Sequence, residues 1–451
     1  MDKIALLRKR KEELISSGKA IRAEIEALTD EESFVELAAF SFSGQPLYGD
    51  DPQGEGVVTG FATIGGYPFY VVAQNFADNY GGLTKTNCEK IVKTLSAAEK
   101  NNTPVVYLLN SRGVRVGEGV DVLEGISELL LKATQLKGTV LQFAVLLGEV
   151  YGSTAALDSV FDCVLFTPKA SLCLSSPLVL SAKAGKNLKD TEVGGFGALK
   201  NAALPAIEVK NVKDAAASIL RISDIVKLPV IDAELNESMP ALNKKVDGKA
   251  VASLLENGVE IGANTCPEVK TVLGRVGGIA VAAVIFDNAT LNADNVKKIK
   301  SFAELACYYN LPFVTFVDCI GVETTLSANN SVLFKEIGEY LTVLDAIATA
   351  KVAVVTGKAI GLGYSLFAAK SAGFDYTLAF ATAQISLFES AAGAQIELSG
   401  DKRAEKADLA KIYAEENADP VNAAKGGYLD NVIEPQFVKQ YLIASLQTLI
   451  D

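Results

Sequence analysis

At 451 residues, with 49% hydrophobic and 21% charged side chains, the chain is too long for one ordinary core and reads as a globular protein of two or more domains. Its formal charge of −12 excludes the basic face that a nucleic-acid binder needs, and no apolar run approaches the roughly 18 residues of a membrane span. The absence of histidine excludes Ser-His and Cys-His nucleophilic systems, His-ligated metal sites and imidazole acid–base chemistry, so no metal site is expected.

The first 34 residues, MDKIALLRKRKEELISSGKAIRAEIEALTDEESF, lack a secretory apolar core and read as a charged helical arm over residues 1–32. Within it TDEE (Thr29 to Glu32) has the S/T-x-x-E pattern that caps a short turn before FVEL. KIVKTLSAAEKNNTPVVYLLN (Lys90 to Asn110) predicts a helix, a proline and a short apolar strand. The next helix shows its period at Val120, Leu123, Ile126, Leu130 and Ala133, with Gly138 as the stop. LGEVYGSTAALDS (Leu147 to Ser159) then takes a strand through glycines into a helix.

Between Leu228 and Lys249 the chain is rich in Pro, Asn and Lys and has no clear period, which places the domain boundary there. Beyond it the pattern returns. VGGIAVAAVIF (Val276 to Phe286) is a buried strand whose context echoes TIGGYPFYVVAQN (Thr63 to Asn75). KIKSFAELACYYNLPFVTFVD (Lys298 to Asp318) aligns without a gap on Lys90 to Asn110. TGKAIGLGYSLFA (Thr356 to Ala368) matches the first glycine turn, and FDYTLAFATAQISL (Phe374 to Leu387) matches FDCVLFTPKASLCL (Phe161 to Leu174). The chain is therefore two copies of one α/β unit, with domains expected over residues 33–235 and 245–451. Cys88, Cys163, Cys173, Cys266, Cys307 and Cys319 show no Cys-x-x-Cys spacing and read as reduced, buried thiols of a cytoplasmic protein.

A strand that ends in glycines and opens a helix presents unpaired backbone N–H groups to an anion, either a phosphate or an oxyanion formed during reaction. Lys358 precedes its glycines, so the P-loop order fails, and GLGYSL lacks the third glycine of a dinucleotide fingerprint. Close packing alone is the bland explanation of such glycines, and the two related turns, Gly148/Gly152 and Gly357/Gly361/Gly363, weaken it.

NSRGVRVGEGVDVLEG (Asn110 to Gly125) resembles the D-S-G-G-A-R-I-Q-E-G-V motif of biotin-dependent acyl-CoA carboxyltransferases. VVTGFATIGGYPFYVVAQNF, PFVTFVDCIGV, GKAIGLGYSLFAAK and the closing NAAKGGYLDNVIEP (Asn422 to Pro435) are similar to further family segments, in the family's order, over about residues 33 to 440. The resemblance implies an α/β fold of tandem duplicated crotonase-like (ββα superhelix) domains. It implies carboxyl transfer between N1 of biotin and the α-carbon of a small acyl-CoA, of propionyl/methylmalonyl or acetyl/malonyl type. The biotin ureido anion takes the α-proton, so no protein base is needed. Carried over position by position, the thioester enolate hole uses backbone N–H groups at Val114 and at Gly152/Ser153. The biotin hole uses those at Gly361, Leu362 and Gly363, with Gly321 adjacent. Gly113, Arg115 and Tyr151 fall where CoA is placed, and Ser365 where the acyl pocket is lined.

Biotin is attached at A-M-K-M in this family, and the only methionines here are Met1 and Met239, so a separate biotin carboxyl carrier protein is implied. Biotin carboxylase or membrane decarboxylase subunits are the further partners, and the implied assembly is a homohexamer with active sites between subunits. Departures from the pattern are Arg112 and Val114 in the first motif, Glu149 and Ser153 in the first glycine turn, and Leu362 in the second. Arg115 and the basic Arg8 to Lys11 either meet CoA or serve a salt bridge and a solvated helix face. Two other readings are a non-catalytic assembly subunit and a crotonase-type hydratase or isomerase that uses Glu149 as acid–base.

Overall fold

A computed structural model of the chain describes residues 2–42, 56–230, 237–397 and 406–450. Two compact units emerge, Met1–Ser223 and Asp224–Asp451. Residues 231–236 of the boundary segment lie outside the described residues.

The arm forms two helices, Lys3–Ser17 and Lys19–Leu28, broken at Gly18. Arg8 to Lys11 are exposed on the first. The second buries Ile21, Ile25 and Leu28, and Arg22 forks onto Glu36 at 2.7 and 2.8 Å. The TDEE segment works differently from a helix cap. Thr29 ends the preceding helix, while the Asp30 carboxylate takes the N–H groups of Gly65 and Gly66 (both 2.8 Å) and the Thr63 hydroxyl (2.6 Å). These bonds, Thr63 first, hold the Asp30 carboxyl below its usual range. Asp30 thus clasps the turn of a hairpin whose two glycines both have positive φ.

That hairpin joins β2 (Val57–Ile64) to β3 (Tyr67–Gln74), with β1 (Val35–Leu37) on its outer edge. Parallel strands follow: β4 (Val105–Ser111), β5 (Gln142–Tyr151), β6 (Cys163–Phe166), the short β7 (Ser171–Cys173) and β8 (Ala206–Glu208). The sheet order is β1-β2-β3-β4-β5-β6-β8, with β7 paired to β5. Tyr107, Phe143, Phe161 and Phe166 are almost fully buried at its centre.

The second unit repeats this path. Its strands are β9 (Glu256–Glu260), β10 (Val269–Val276), β11 (Ile279–Phe286), β12 (Ala289–Leu291), β13 (Phe313–Val322), β14 (Lys351–Ile360), β15 (Tyr376–Phe380), β16 (Gln384–Ser386) and β17 (Asn431–Ile433). The order β10-β11-β13-β14-β15-β17 matches β2-β3-β4-β5-β6-β8, and β16 pairs with β14 as β7 does with β5. All eight residues of β11 are buried, as in a strand covered on both faces. Even a buried lysine is duplicated: the Lys90 ammonium donates to Val57 O (2.9 Å), and that of Lys298 to Val269 O (2.7 Å) and Thr265 O (2.8 Å).

The helix after β4, Val120–Gln135, forms where its period was read, but turned by about one residue. Its buried face is Val122, Gly125, Ile126, Leu129 and Ala133, and Val120 and Leu123 are exposed. Gly125 explains the turn. A β-carbon there would lie 3.1 Å from Cys88 Cβ and 3.2 Å from Lys85 Cα, so this glycine marks the closest approach to the helix Lys85–Asn101. All six cysteines are free; Cys88, Cys163, Cys173 and Cys319 are buried, whereas Cys266 and Cys307 are only half-buried. Among the described residues no helix is long and apolar enough to cross a membrane.

Candidate active site

Each unit has two glycine turns side by side, one leaving the strand β4 or β13 and the other leaving β5 or β14. In the first unit Gly113 has φ 113°, and a β-carbon there would touch Tyr151 O at 3.4 Å. In the second, Gly321 has φ 97° and stands in the same relation to Ile360 O, also 3.4 Å. Gly152 (φ 63°, ψ −132°) and Gly361 (φ 52°, ψ −121°) share a backbone conformation that residues with a β-carbon avoid. Earlier in the same strands, a β-carbon on Gly148 would strike Asn110 Oδ1 at 2.9 Å and one on Gly357 would strike Asp318 Oδ1 at 2.3 Å. The glycines of both motifs thus serve close strand-to-strand approach as well as turning.

Hydrogen bonding divides the donors of these turns into spent and unspent. Gly152 N–H goes to Cys173 O and Gly361 N–H to Ser386 O, each at 3.0 Å, tying the turns to β7 and β16. Gly113 N–H goes to the Ser111 hydroxyl at 3.0 Å. The Gly113 carbonyl accepts from Leu83 N–H (3.0 Å) and the Ser111 hydroxyl (3.1 Å). Among the described residues, no group accepts from the N–H of Val114, Ser153, Leu362 or Gly363. Those four are the open donors.

The two turns differ in what packs beneath them. In the first unit Ser111 and Thr154 face each other with hydroxyls 3.3 Å apart. Their counterparts are Cys319 and Gly363, where a β-carbon on Gly363 would lie 2.9 Å from Cys319 Sγ. Burial pushes the Cys319 thiol up to about 12, so it stays protonated and apolar. Leu362 is 42% exposed at the mouth of the second turn.

The structure therefore brings Gly113, Val114, Tyr151, Gly152 and Ser153 together in one unit, and Gly321, Gly361, Leu362 and Gly363 in the other. Of the two roles open to Arg115, CoA placement or a salt bridge, the second has a partner in this unit: Arg115 is buried, with Nη2 3.4 Å from Asp78 Oδ2 and with Nε and Nη1 unpartnered. Burial raises the Asp78 carboxyl, and Arg115 pulls in the opposite direction. Tyr151 is buried too.

Two features were not read from the sequence. Arg112 forks onto Glu149, with Nε to Oε2 at 2.6 Å and Nη2 to Oε1 at 3.0 Å, and its guanidinium lies 4.4 Å from the centre of the Tyr80 ring. Each was legible as a departure from the motif, but not their pairing. Behind the first turn, an apolar cleft of about 610 Å³ is lined by Ala155, Leu174, Leu180 and Leu204. Asp158 lies at its wall with both carboxyl oxygens buried and unpartnered, and burial raises its pKa well above the carboxylate range.

Two matching turns with open backbone donors thus sit on a duplicated sheet in a chain without histidine, an arrangement able to hold an anion by backbone hydrogen bonds. Residues 15–451 match the carboxyl transferase domain family, and the chain belongs to it. It is a carboxyltransferase of crotonase-like fold. The chain is 27% identical to the methylmalonyl-CoA decarboxylase subunit alpha of Veillonella parvula, over 98% of this chain and 92% of the relative. It is 28% identical to the propionyl-CoA carboxylase beta chain of Cereibacter sphaeroides, over 93% and 88%. Among solved structures it resembles transcarboxylase 12S with methylmalonyl-coenzyme A bound, with a TM-score of 0.89 and 22% identity over 99% of this chain and 95% of the other.

Proposed function

We propose that the chain moves a carboxyl group between biotin on a separate carrier and the α-carbon of a small acyl-CoA, with its two glycine turns as two oxyanion sites. The observation that supports this reading is the duplicated set of unspent N–H donors, beside which Glu149, Lys358 and Asp318 are each held by a partner. Glu149 is held by Arg112, Lys358 lies 3.5 Å from Glu389, and Asp318 accepts from Lys358 N–H (2.8 Å) and Asn288 N–H (3.1 Å). An oxygen that becomes anionic when the α-carbon loses its carboxyl group or its proton needs donors, not a base.

In the first unit the N–H groups of Val114 and Ser153 hold the thioester oxygen, while Gly113 and Gly152 set their direction. In the second, Leu362 and Gly363 hold the ureido oxygen, next to Gly321. Biotin, when its carrier presents it, supplies the nitrogen that accepts or releases the carboxyl group. The names of the relatives support a methylmalonyl/propionyl-type chain and partnership with biotin carboxylase or decarboxylase subunits. The hexamer assembly of transcarboxylase 12S supports a homohexamer here. Residues 33–235 and 245–451 are each one carboxyltransferase domain, and the unpaired cysteines fit work in the cytoplasm. The hydratase or isomerase reading loses its acid–base group, since Glu149 is committed to Arg112 at both oxygens.

The test is turnover of malonyl-, methylmalonyl- and glutaconyl-CoA by the purified protein, with and without free biotin. Biotin-dependent loss of the carboxyl group from one of them is the expected result. Folded protein that releases none of it would count against the proposal.

A further inference from the structure

Arg112 has no part in the chemistry above, yet two separate pieces of chain converge to aim it. Glu149, at the end of β5, takes its Nε and one Nη2 hydrogen. The loop after β3 supplies the floor: the Tyr80 ring lies 4.4 Å from the guanidinium and the Phe76 ring 5.7 Å. Tyr80 reaches that position through unusual backbone. Asn79, Tyr80 and Gly81 are left-handed in succession, with φ of 46°, 56° and 66°, a conformation that aromatic residues rarely adopt. Arg112 N–H in turn donates to Tyr80 O at 3.0 Å, which locks the loop to the turn.

A guanidinium carries five N–H donors in a planar fork. Glu149 uses two of them. The two on Nη1 and the outer one on Nη2 have no partner among the described residues, and the side chain is 50% exposed. The open edge therefore presents two parallel donors, pre-oriented by the carboxylate on one side and the ring below, and this geometry suits a carboxylate or phosphate oxygen pair. It stands two residues from the open donor at Val114, just past the end of β4, the strand paired with the one that leads to Ser153.

We infer that Arg112 is a specificity-determining anion receptor at the mouth of the first turn, and that its open edge takes an anionic group of the acyl-CoA. The inference rests on the acyl-CoA reading above. Two anions of such a substrate share the required chemistry: the carboxylate to be transferred, and the CoA phosphates. Glu149 fixes the plane of the receptor and offsets part of its charge, which keeps the hold on the anion moderate.

The experiment uses the full chain with Arg112→Gln, Arg112→Lys and Glu149→Gln. Binding of methylmalonyl-CoA, propionyl-CoA and the phosphate-free N-acetylcysteamine thioester of methylmalonate is measured by calorimetry, beside KM and kcat for decarboxylation. In Arg112→Gln the Kd and KM for methylmalonyl-CoA rise about tenfold or more, as expected for losing a charged pair of hydrogen bonds. Arg112→Lys recovers only part of this, because an ammonium cannot fork. If the carboxylate is read, the loss extends to the N-acetylcysteamine thioester and spares propionyl-CoA. A phosphate contact gives the reverse pattern. Glu149→Gln removes the opposing charge and tightens anion binding at low salt.

Equal Kd values for all three ligands in wild type and Arg112→Gln, with matching thermal melts, would overturn the inference. Should Arg112→Gln fail to fold, unchanged or weaker binding in Glu149→Gln does so. A wild-type chain that binds no acyl-CoA would instead sink the reading on which the inference rests.

Discussion

Gly152→Ala tests one backbone angle in near isolation. Gly152 sits at φ 63°, ψ −132°, and a β-carbon there would meet no atom within 4 Å. Crowding therefore contributes nothing, and the penalty comes from the backbone conformation alone, about 1–3 kcal/mol. The same ψ orients the peptide that carries the Ser153 N–H, so any relief of strain turns that donor away from the reacting oxygen. The expected result is a loss of about 1–3 kcal/mol in denaturant unfolding together with a ~10²-fold or larger fall in decarboxylation rate. Gly185→Ala is the matched control. It too has positive φ (64°) and open space around it, but it ends the helix Pro177–Ala184 and orients no donor of the turn. It should lose about 1–2 kcal/mol and retain its turnover. A Gly152→Ala protein as stable and as active as the parent would refute the reasoning, and equal activity in the two variants would detach the angle from catalysis.

Gly361→Ala meets the same conformation with an added contact, 3.3 Å to Leu387 O, and should destabilise its unit more than Gly152→Ala does the first; equal midpoint shifts would contradict this. Lys298→Met orphans the buried carbonyls of Thr265 and Val269, and an unfolding free energy lowered by about 1–3 kcal/mol in denaturant titration is expected. Asp158→Asn carries a pH signature. Burial raises the Asp158 carboxyl, so above the ordinary carboxylate value of about 4 the unfolded chain has lost a proton that the folded chain keeps. Wild-type stability falls as pH rises through that window, whereas asparagine has no such proton to hold. The advantage of Asp158→Asn should therefore widen from pH 4 to pH 7, and an advantage independent of pH would show that the carboxyl is not held protonated.

Where sequence and structure part, the cause is side-chain position in space. The period of the helix Val120–Gln135 gave its location, but its buried face is set by Gly125 against Cys88, a contact between two helices that no single period contains. TDEE held a capping pattern, and its aspartate was claimed instead by a hairpin more than 30 residues away. The motif left Arg115 to either CoA or a salt bridge, and only the fold shows it buried beside Asp78.

By itself the sequence determined the duplication, the glycine turns and the absence of imidazole chemistry. These depend on local quantities: apolar period, freedom of φ at glycine and composition. Only the tertiary structure decided which donors in those turns remain open, because Gly152 and Gly361 give their N–H groups to carbonyls on strands that arrive later in the chain. It also decided that Glu149 belongs to Arg112, 37 residues away. Strand register brings those two side chains side by side, and register is fixed by the whole sheet.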